Sequence, residues 1–273
     1  MNPNPYFSII IPTLNEQDYL PKLLNDLSHQ TLDNFEVIIV DAKSKDNTLK
    51  VAEKFQDQLP QLTILVSPKR HVSYQRNLGS KKAHAPVLVF IDADSRLPRF
   101  FLEGLKYDLT KTPADLFVTW LKADSTNSQD AALATIANLA YETLRILDAP
   151  TGVGAMLGFK KSVFQKLGGF DETISYSEDQ ELIRRAVARK YNFVIYKDPR
   201  YTYSFRRFRQ EGKLKFLRKF ARLQTNILTH GYHTNSEKDY PMGGHVFKGP
   251  SKETTLTGIL KRLLRSPAKT PKE

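Results

Sequence analysis

The chain has no cysteine among its 273 residues. Disulfides, zinc–thiolate sites and cysteine nucleophiles are thereby excluded, and the lack fits a reducing compartment. Long hydrophobic runs are missing too: no stretch approaches the roughly 20 apolar residues that a membrane-crossing helix needs. The first residues, Met1-Asn2-Pro3-Asn4-Pro5-Tyr6, carry neither a basic region nor an apolar core. No signal peptide is therefore expected, and a cytoplasmic location is. Acidic residues are scarce in the last third. Residues 180–273 hold 22 Lys and Arg against 7 Asp and Glu, whereas residues 1–179 hold 19 against 22, so the net charge of +12 is C-terminal. Such a surface suits phosphates, anionic lipid or nucleic acid, unless it is merely a solvated basic face.

The rest is ordinary globular composition, 40% hydrophobic and 26% charged, with length enough for one large α/β domain and a C-terminal extension. Apolar runs at Phe7–Ile11, Phe35–Val40, Leu62–Val66 and Val87–Ile91 predict four strands. Helical patterns over Tyr19–Ser28, Thr48–Gln58 and Tyr74–Ala83 lie between them. Alternation of this kind means βαβ units, a parallel sheet and right-handed crossovers, with all four strand ends on one edge. The second half is mixed. Strands are expected at Leu116–Leu121, Ala155–Phe159 and Phe193–Tyr196, and helices at Ala131–Leu147, Glu178–Lys190 and Lys213–Thr229. Residues 230–251 read as a loop. Leu256, Ile259, Leu260, Leu263 and Leu264 then mark a short basic amphipathic helix, before a disordered end at Ser266–Glu273. The expected division is a domain over 1–230, with halves at about 6–95 and 96–230, and an extension over 231–273.

Chemistry concentrates at the strand ends. Asp92-Ala93-Asp94 follows the fourth apolar run directly. Acids at i and i+2 of an extended chain share a face. At the carboxyl end of a parallel strand that face is where α/β proteins bind ligands. Two neighbouring carboxylates repel unless a cation lies between them, and Mg²⁺ or Mn²⁺ carrying a nucleoside diphosphate is the matching cation. After the first strand comes Pro12-Thr13-Leu14-Asn15-Glu16, where Asn15 with Asp18 also reads as a simple helix cap. After the second comes Asp41, placed to accept a hydrogen bond from a base N–H or a ribose hydroxyl, then Ser44, Asp46 and Asn47, which also suit turns. Ser177 and Gln180 read as a capping box around Glu178 and Asp179, acids that suit either a helix dipole or proton transfer. Arg206 and Arg207, set among aromatics in Tyr203-Ser204-Phe205-Arg206-Arg207-Phe208-Arg209, suit a diphosphate or an anionic acceptor. His245 is a candidate metal ligand, although an isolated histidine is more often not one. Trp120 and Met156 are expected in the core or in the wall of an acceptor pocket.

In order and spacing these segments resemble the family 2 glycosyltransferases, over about residues 6–210. The match rests on Pro12, Asn15 and Glu16; on Val40, Asp41, Ser44, Asp46 and Thr48; on Arg76, Asn77 and Gly79; on Asp92 and Asp94; on Gly168-Gly169-Phe170-Asp171-Glu172; and on Glu178-Asp179. The resemblance implies a GT-A fold, with a Rossmann-like, mostly parallel nucleotide-binding half and a mixed acceptor-binding half. It implies that Pro12, Thr13, Glu16 and Asp41 line the nucleoside pocket and that Arg76 lies near the diphosphate. Asp94, helped by Asp92, would hold Mg²⁺ or Mn²⁺, and Asp179 would be the base of an inverting transfer, with Glu178 orienting it or binding the acceptor.

Ala42 stands where many members of that family carry a second acid, a departure that bears on nucleoside recognition. A Gln-x-x-Arg-Trp motif and membrane-crossing runs are absent, so transfer of one sugar is expected rather than processive synthesis. The implied donor is a UDP- or GDP-sugar. The implied acceptor is a lipid, a polyprenyl phosphate, a glycan or a small molecule. The basic C-terminal helix either attaches to an anionic membrane face or packs on the domain. Two other classes compete. A nucleotidyltransferase would be expected to carry a Gly-rich phosphate loop, and Pro12–Glu16 has no glycine. An inactive membrane- or nucleic-acid-binding module would have no use for Asp92, Asp94 and Asp179. Nucleic acid is therefore not the expected partner, and oligomeric state is not legible.

Overall fold

The computed structural model describes residues 4–59, 61–147, 149–152 and 154–211, together with 218, 222 and 232. In chain order its strands are β1 (Phe7–Thr13), β2 (Phe35–Asp41), β3 (Leu62–Val66), β4 (Val87–Ile91), β5 (Leu116–Ala123), β6 (Met156–Lys160) and β7 (Phe193–Tyr203). Its helices are α1 (Leu20–Ser28), α2 (Thr48–Glu53), α3 (Val72–Lys82), α4 (Phe101–Lys111), α5 (Ser128–Ile146), α6 (Lys161–Leu167), α7 (Glu178–Ala188) and α8 (Arg206–Glu211). All seven strands join one sheet in the order β3-β2-β1-β4-β6-β5-β7.

Every residue of β2 and β4 is buried, as expected of parallel strands covered on both faces. β1 pairs in parallel with β2 from Phe7 opposite Phe35 to Thr13 opposite Asp41, and with β4 on its other side. The loops after β1, β2 and β4 thus leave the sheet at one edge. β6 runs antiparallel to both β4 and β5, with Met156 opposite Ile91. The loop leading into β6 is therefore delivered to that same edge, and the Asp92 amide donates to the Ala155 carbonyl at 3.2 Å. β5 and β7 are parallel, with a register shift between Thr119 and Leu121.

Packing accounts for particular residues. α1 turns Leu20, Leu23, Leu24 and Leu27 into the core, each worth about 1.5–3 kcal/mol of burial. α3 lies so close to the sheet that a Cβ on Gly79 would come within 2.5 Å of Ile10 Cγ2. On the other side of the sheet's centre, a Cβ on Gly158 of β6 would stand 2.0 Å from the Phe117 ring, which is fully buried.

The four parallel strands and the first three helices lie where periodicity puts them, although α2 ends at Glu53 rather than Gln58. Three helices, α4, α6 and α8, answer to no sequence expectation. α4 contains Gly104, a poor helix former, which lies against the Pro199 ring, where a Cβ would make ordinary contact at 3.4 Å. β7 runs to Tyr203 instead of stopping at Tyr196, because pairing with β5 resumes beyond the register shift. The helix expected over Lys213–Thr229, the loop over 230–251, the helix over 256–265 and the end at Ser266–Glu273 lie outside the described residues. No helix among the described residues is long and apolar enough to cross a membrane.

Gly158→Ala should test the close approach. Overpacking against Phe117 is expected to cost about 1–3 kcal/mol, seen as a lower urea midpoint at unchanged slope. A midpoint equal to wild type would show that the ring yields freely.

Candidate active site at the carboxyl edge of the sheet

Two loops brace each other at this edge. The Thr13 hydroxyl donates to Asp41 at 2.9 Å, and the Ser44 amide donates to the same carboxylate at 2.8 Å. The Ser44 hydroxyl also donates to Asp41 while accepting from the Asn15 amide at 2.7 Å. The Glu16 amide donates to the Thr48 hydroxyl at 2.8 Å, and the Lys45 amide to the Asn15 side chain at 2.7 Å. Asn15 is thus no helix cap: the cap position of α1 is Tyr19, and Asn15, at φ 54°, reaches across to the neighbouring loop instead. Gln75 of α3 spans both strands from beneath, donating to the Thr13 carbonyl at 2.9 Å and the Val40 carbonyl at 2.7 Å. Asp41 is fully buried, and these contacts fix the loop geometry around it.

Beyond β4 the chain does not stay extended. Ser95 N–H returns to the Asp92 carbonyl at 3.0 Å, so Asp92 and Asp94 are brought together by a tight turn rather than by strand alternation. Arg76, only 2% exposed, is the hub next to them. Its guanidinium donates to Asp92 at 3.0 Å, to the Gly154 carbonyl at 3.0 Å and to Glu178 at 2.8 Å, and stacks 5.3 Å from the Phe170 ring. Burial alone would lower its pKa, but the charges of Asp92, Glu178 and Asp179 outweigh that and raise it. Asp179 completes the cluster by accepting from the Gly154 amide and from the Gln180 amide. A Cβ on Gly154 would lie 2.9 Å from Arg76 and 3.1 Å from Asp179, so this position has room for hydrogen only. Ser177 sits at the cap position of α7 in a left-handed conformation (φ 60°) and makes no side-chain cap, which replaces the expected capping box. Asn77, next to Arg76, holds the segment before α7 by exchanging two 2.9 Å hydrogen bonds with the backbone of Phe170.

Arg206 closes the other side. Its guanidinium donates to both Glu16 oxygens at 3.2 and 3.0 Å, pairs with Asp94 at 2.9 Å and stacks 4.2 Å from the Tyr19 ring. Arg207 acts on half-buried Tyr203 through its charge. Pro12, in β1, is partly exposed beside Thr13. Two carboxylates at a turn, each already held against a positive group, form a hard-oxygen donor pair that fits a divalent cation. No three His, Cys, Asp or Glu side chains form a metal cage among the described residues. Such a cation would therefore complete its shell with phosphate and water oxygens, as Mg²⁺ commonly does. His245 lies outside the described residues.

The sequence signals pick out the acids of this site but not their connectors. Gln75, Gly154, Ser204 (bonded to Asp94) and Tyr141 (buried beside Asp179) form no motif of their own. Met156 is in the core, as expected. Trp120 is partly exposed, with Arg200 and Lys197 over its ring at 4.9 and 5.5 Å.

Burial, joined by the charge of Glu178, pushes Asp179 up to about 7; burial also raises Glu16 to about 7 against the pull of Arg206. An acid whose folded pKa exceeds its unfolded value, near 4, makes the fold less stable as pH rises between the two, because there the native state holds the proton and the unfolded chain has released it. Asp179→Asn removes that cost. It should match or exceed wild type in urea midpoint at pH 8 and lose the advantage by pH 4. A variant weaker than wild type at pH 8 would show that the carboxylate is favoured where it lies.

The chain matches the model of glycosyl transferase family 2 over residues 8–168. It is 30% identical over 183 residues to the succinoglycan biosynthesis protein ExoA of Rhizobium meliloti, covering 64% of this chain and 56% of that protein. It is 33% identical over 115 residues to the glycosyltransferase AglE of Haloferax volcanii, covering 41% and 38%. The chain thus spans between about a third and a little over half the length of these relatives. Among solved structures, the mannosyltransferase of Pyrobaculum calidifontis in complex with GDP-Man and Mn²⁺ superposes with a TM-score of 0.63 at 18% identity, over 90% of this chain and 68% of that one. Staphylococcus aureus TarS in complex with UDP-GlcNAc does so at 0.58 and 21%, over 72% and 58%. With the mixed seven-stranded sheet, these likenesses define the fold as GT-A, and the family match covers more than half of the sequence: the chain belongs to glycosyl transferase family 2.

Proposed function

We propose that this protein is a metal-dependent, inverting glycosyltransferase that moves one sugar from a UDP- or GDP-sugar to an acceptor hydroxyl. The observation that carries the proposal is the Arg76 joint, which ties Asp92, at the end of β4, to Glu178 and Asp179, at the start of α7. One side of that joint suits the donor diphosphate and the other suits an acceptor. The nucleoside would lie over Pro12, Thr13, Glu16 and the loop that Asp41 anchors. Mg²⁺ or Mn²⁺ held by Asp94 and Asp92 would neutralise the departing diphosphate as a Lewis acid.

Asp179 would take the acceptor proton. A base with a pKa near the working pH combines an ionised population with useful basicity, and about 7 meets that condition. The acceptor oxygen bonds the anomeric carbon as the bond from that carbon to the phosphate oxygen breaks. The proton stays on Asp179 and the nucleoside diphosphate leaves. Arg76 fixes Glu178 and holds the backbone of Gly154, whose amide orients Asp179. Arg206 would exchange Glu16 and Asp94 for phosphate oxygens as the donor enters. The acceptor is proposed to be lipid-linked or a glycan, with the chain at the cytoplasmic membrane face. The exposed apolar face of α5 supports that placement.

The decisive experiment is nucleoside-diphosphate release from UDP- and GDP-sugars with Mn²⁺, Mg²⁺ or EDTA. Release from one donor should be abolished by EDTA and by Asp94→Ala, and with a hydroxyl acceptor it should rise with pH around 7 and vanish in Asp179→Asn. Unchanged release with EDTA, or from Asp94→Ala, would reject the metal-dependent reading. Arg206→Ala should weaken donor binding by ten- to a hundredfold, since a hydrogen bond to a charged group is worth about 1.5–3 kcal/mol. The same variant should bind Mn²⁺ alone more tightly, because Asp94 is released. Calorimetry reads both effects, and weaker Mn²⁺ binding would overturn this role for Arg206.

A further inference from the structure

α5 turns its polar side inward. Its buried residues are Asp130, Ala134, Asn138 and Tyr141, whereas Ile136 and Leu139 lie outside. The reason is a gap in the sheet. β5 pairs with β6 only at Leu116 and Phe117. Farther along β5, towards the carboxyl edge, Asn138 takes the place of a neighbouring strand: it accepts from the Leu121 amide and donates to the Leu121 carbonyl, both at 2.9 Å. The chain returning to β6 enters the same gap. A Cβ on Gly152 would lie 2.7 Å from Val118 of β5 and 3.1 Å from Ile183 of α7. Two residues on, the Gly154 amide donates to Asp179. The gap is thus walled by β5, α5, the two glycines and α7.

Tyr141, one turn beyond Asn138, stands on the stripe that faces this gap. It is only 6% exposed, and its hydroxyl has no hydrogen-bond partner among the described residues. Thr119 of β5, 1% exposed, also buries a hydroxyl without a partner among them. Burial raises the pKa of Tyr141, and Asp179 lies close enough for its charge to raise it further. A buried hydroxyl left unpaired costs stability, so its retention calls for a reason.

Charge narrows what could pair with it. Arg76 is outnumbered here by Asp92, Glu178 and Asp179. Along α7, Arg185 is committed to Glu181 and to the Gly169 carbonyl, and Arg184 stacks 6.0 Å from the Tyr232 ring. An incoming phosphate would meet surplus negative charge, which an uncharged hydroxyl does not feel. Asp179 can take a hydroxyl proton, and Tyr141 offers a donor with nothing to bond. Two hydroxyls of one molecule satisfy both.

We propose that Tyr141 selects the acceptor: with one hydroxyl of an uncharged polyol presented to Asp179, the Tyr141 hydroxyl bonds a second hydroxyl of the same molecule. The contact forms as the acceptor enters past Asp179, which is partly exposed. Tyr141 has no hydrogen bond to give up when its hydroxyl turns towards the acceptor. This rests on the function proposed above and names its acceptor class, a glycan or other polyol rather than a phosphate.

The test is Tyr141→Phe in the full chain, with three matched probes: cyclohexanol, trans-cyclohexane-1,2-diol and cyclohexyl phosphate. In nucleoside-diphosphate release with Mn²⁺, the diol should stimulate the wild type about tenfold more than cyclohexanol does, and the phosphate should not stimulate it. Y141F should erase the diol's advantage while its donor affinity, read by calorimetry, stays within about twofold of wild type. Its urea midpoint should equal or exceed wild type, since an unpaired hydroxyl is removed. A midpoint clearly below wild type would overturn the proposal by showing that the hydroxyl is bonded within the fold. So would a preference for the diol that survives in Y141F or is missing in the wild type, or stimulation by the phosphate beyond that by the diol. Diol binding is also read without any donor, as a rise in wild-type melting temperature that cyclohexanol does not produce and Y141F does not show. If no donor is turned over, the glycosyl-transfer proposal fails, and the presence or absence of that rise still decides this one.

Discussion

A single buried guanidinium makes this edge of the sheet possible. Arg76 has a side chain only 3% exposed, and it touches groups from the end of β4, the loop into β6 and the start of α7. Without it, Asp92, Glu178 and Asp179 would be forced together in a poorly solvated space. Removing the cation from such a buried set typically costs about 3–5 kcal/mol, because the acids are left uncompensated. The antiparallel course of β6 brings Gly154 to this place, and the lack of a side chain there lets Arg76 and Asp179 approach. Asn77, one residue on, clamps Phe170 and so fixes where α7 begins. One turn of α3 therefore positions the acids of both halves.

The loops after β1 and β2 depend on a second set of polar contacts. Asp41 takes hydrogen bonds from Thr13 and Ser44, and Ser44 passes support on to Asn15. The two loops become one rigid unit whose backbone amides are satisfied by side chains of the neighbouring turn. Arg206, arriving from far along the sequence, then covers the acids that this unit and the β4 turn leave exposed to one another.

The first half was legible because parallel strands buried on both faces read as unbroken apolar runs, such as Phe35–Val40 and Val87–Ile91. Their acidic endings drew the eye for the same reason, since a carboxylate at the end of a buried strand needs a partner, which for Asp41 includes Thr13 and Ser44. Local capping was less legible. Asn15 and Ser177 have the composition of caps, yet Asn15 is drawn to the amide of Lys45 and Ser177 adopts a left-handed turn. α4 was hidden by Gly104, a poor helix former in its first turn. The partnerships of Gln75, Gly154 and Arg206 are contacts between distant segments, and no window of sequence contains both members. The inverted stripe of α5 was also unreadable as such: its Leu, Ile and Ala spacing promises a buried face, and only the packed structure says that Asn138 and Tyr141 point inward.

The position of Arg206 gives ligand entry the character of an exchange reaction. Glu16 and Asp94 are never offered as bare anions, because a tethered counter-ion already holds them. On the function proposed above, an entering donor would replace one set of ion pairs with another, so its association would be a difference between two opposing quantities. A difference of that kind is easily reversed. A catalyst that must let go of a spent nucleoside diphosphate on every cycle gains from a side chain that is always ready to take its place back.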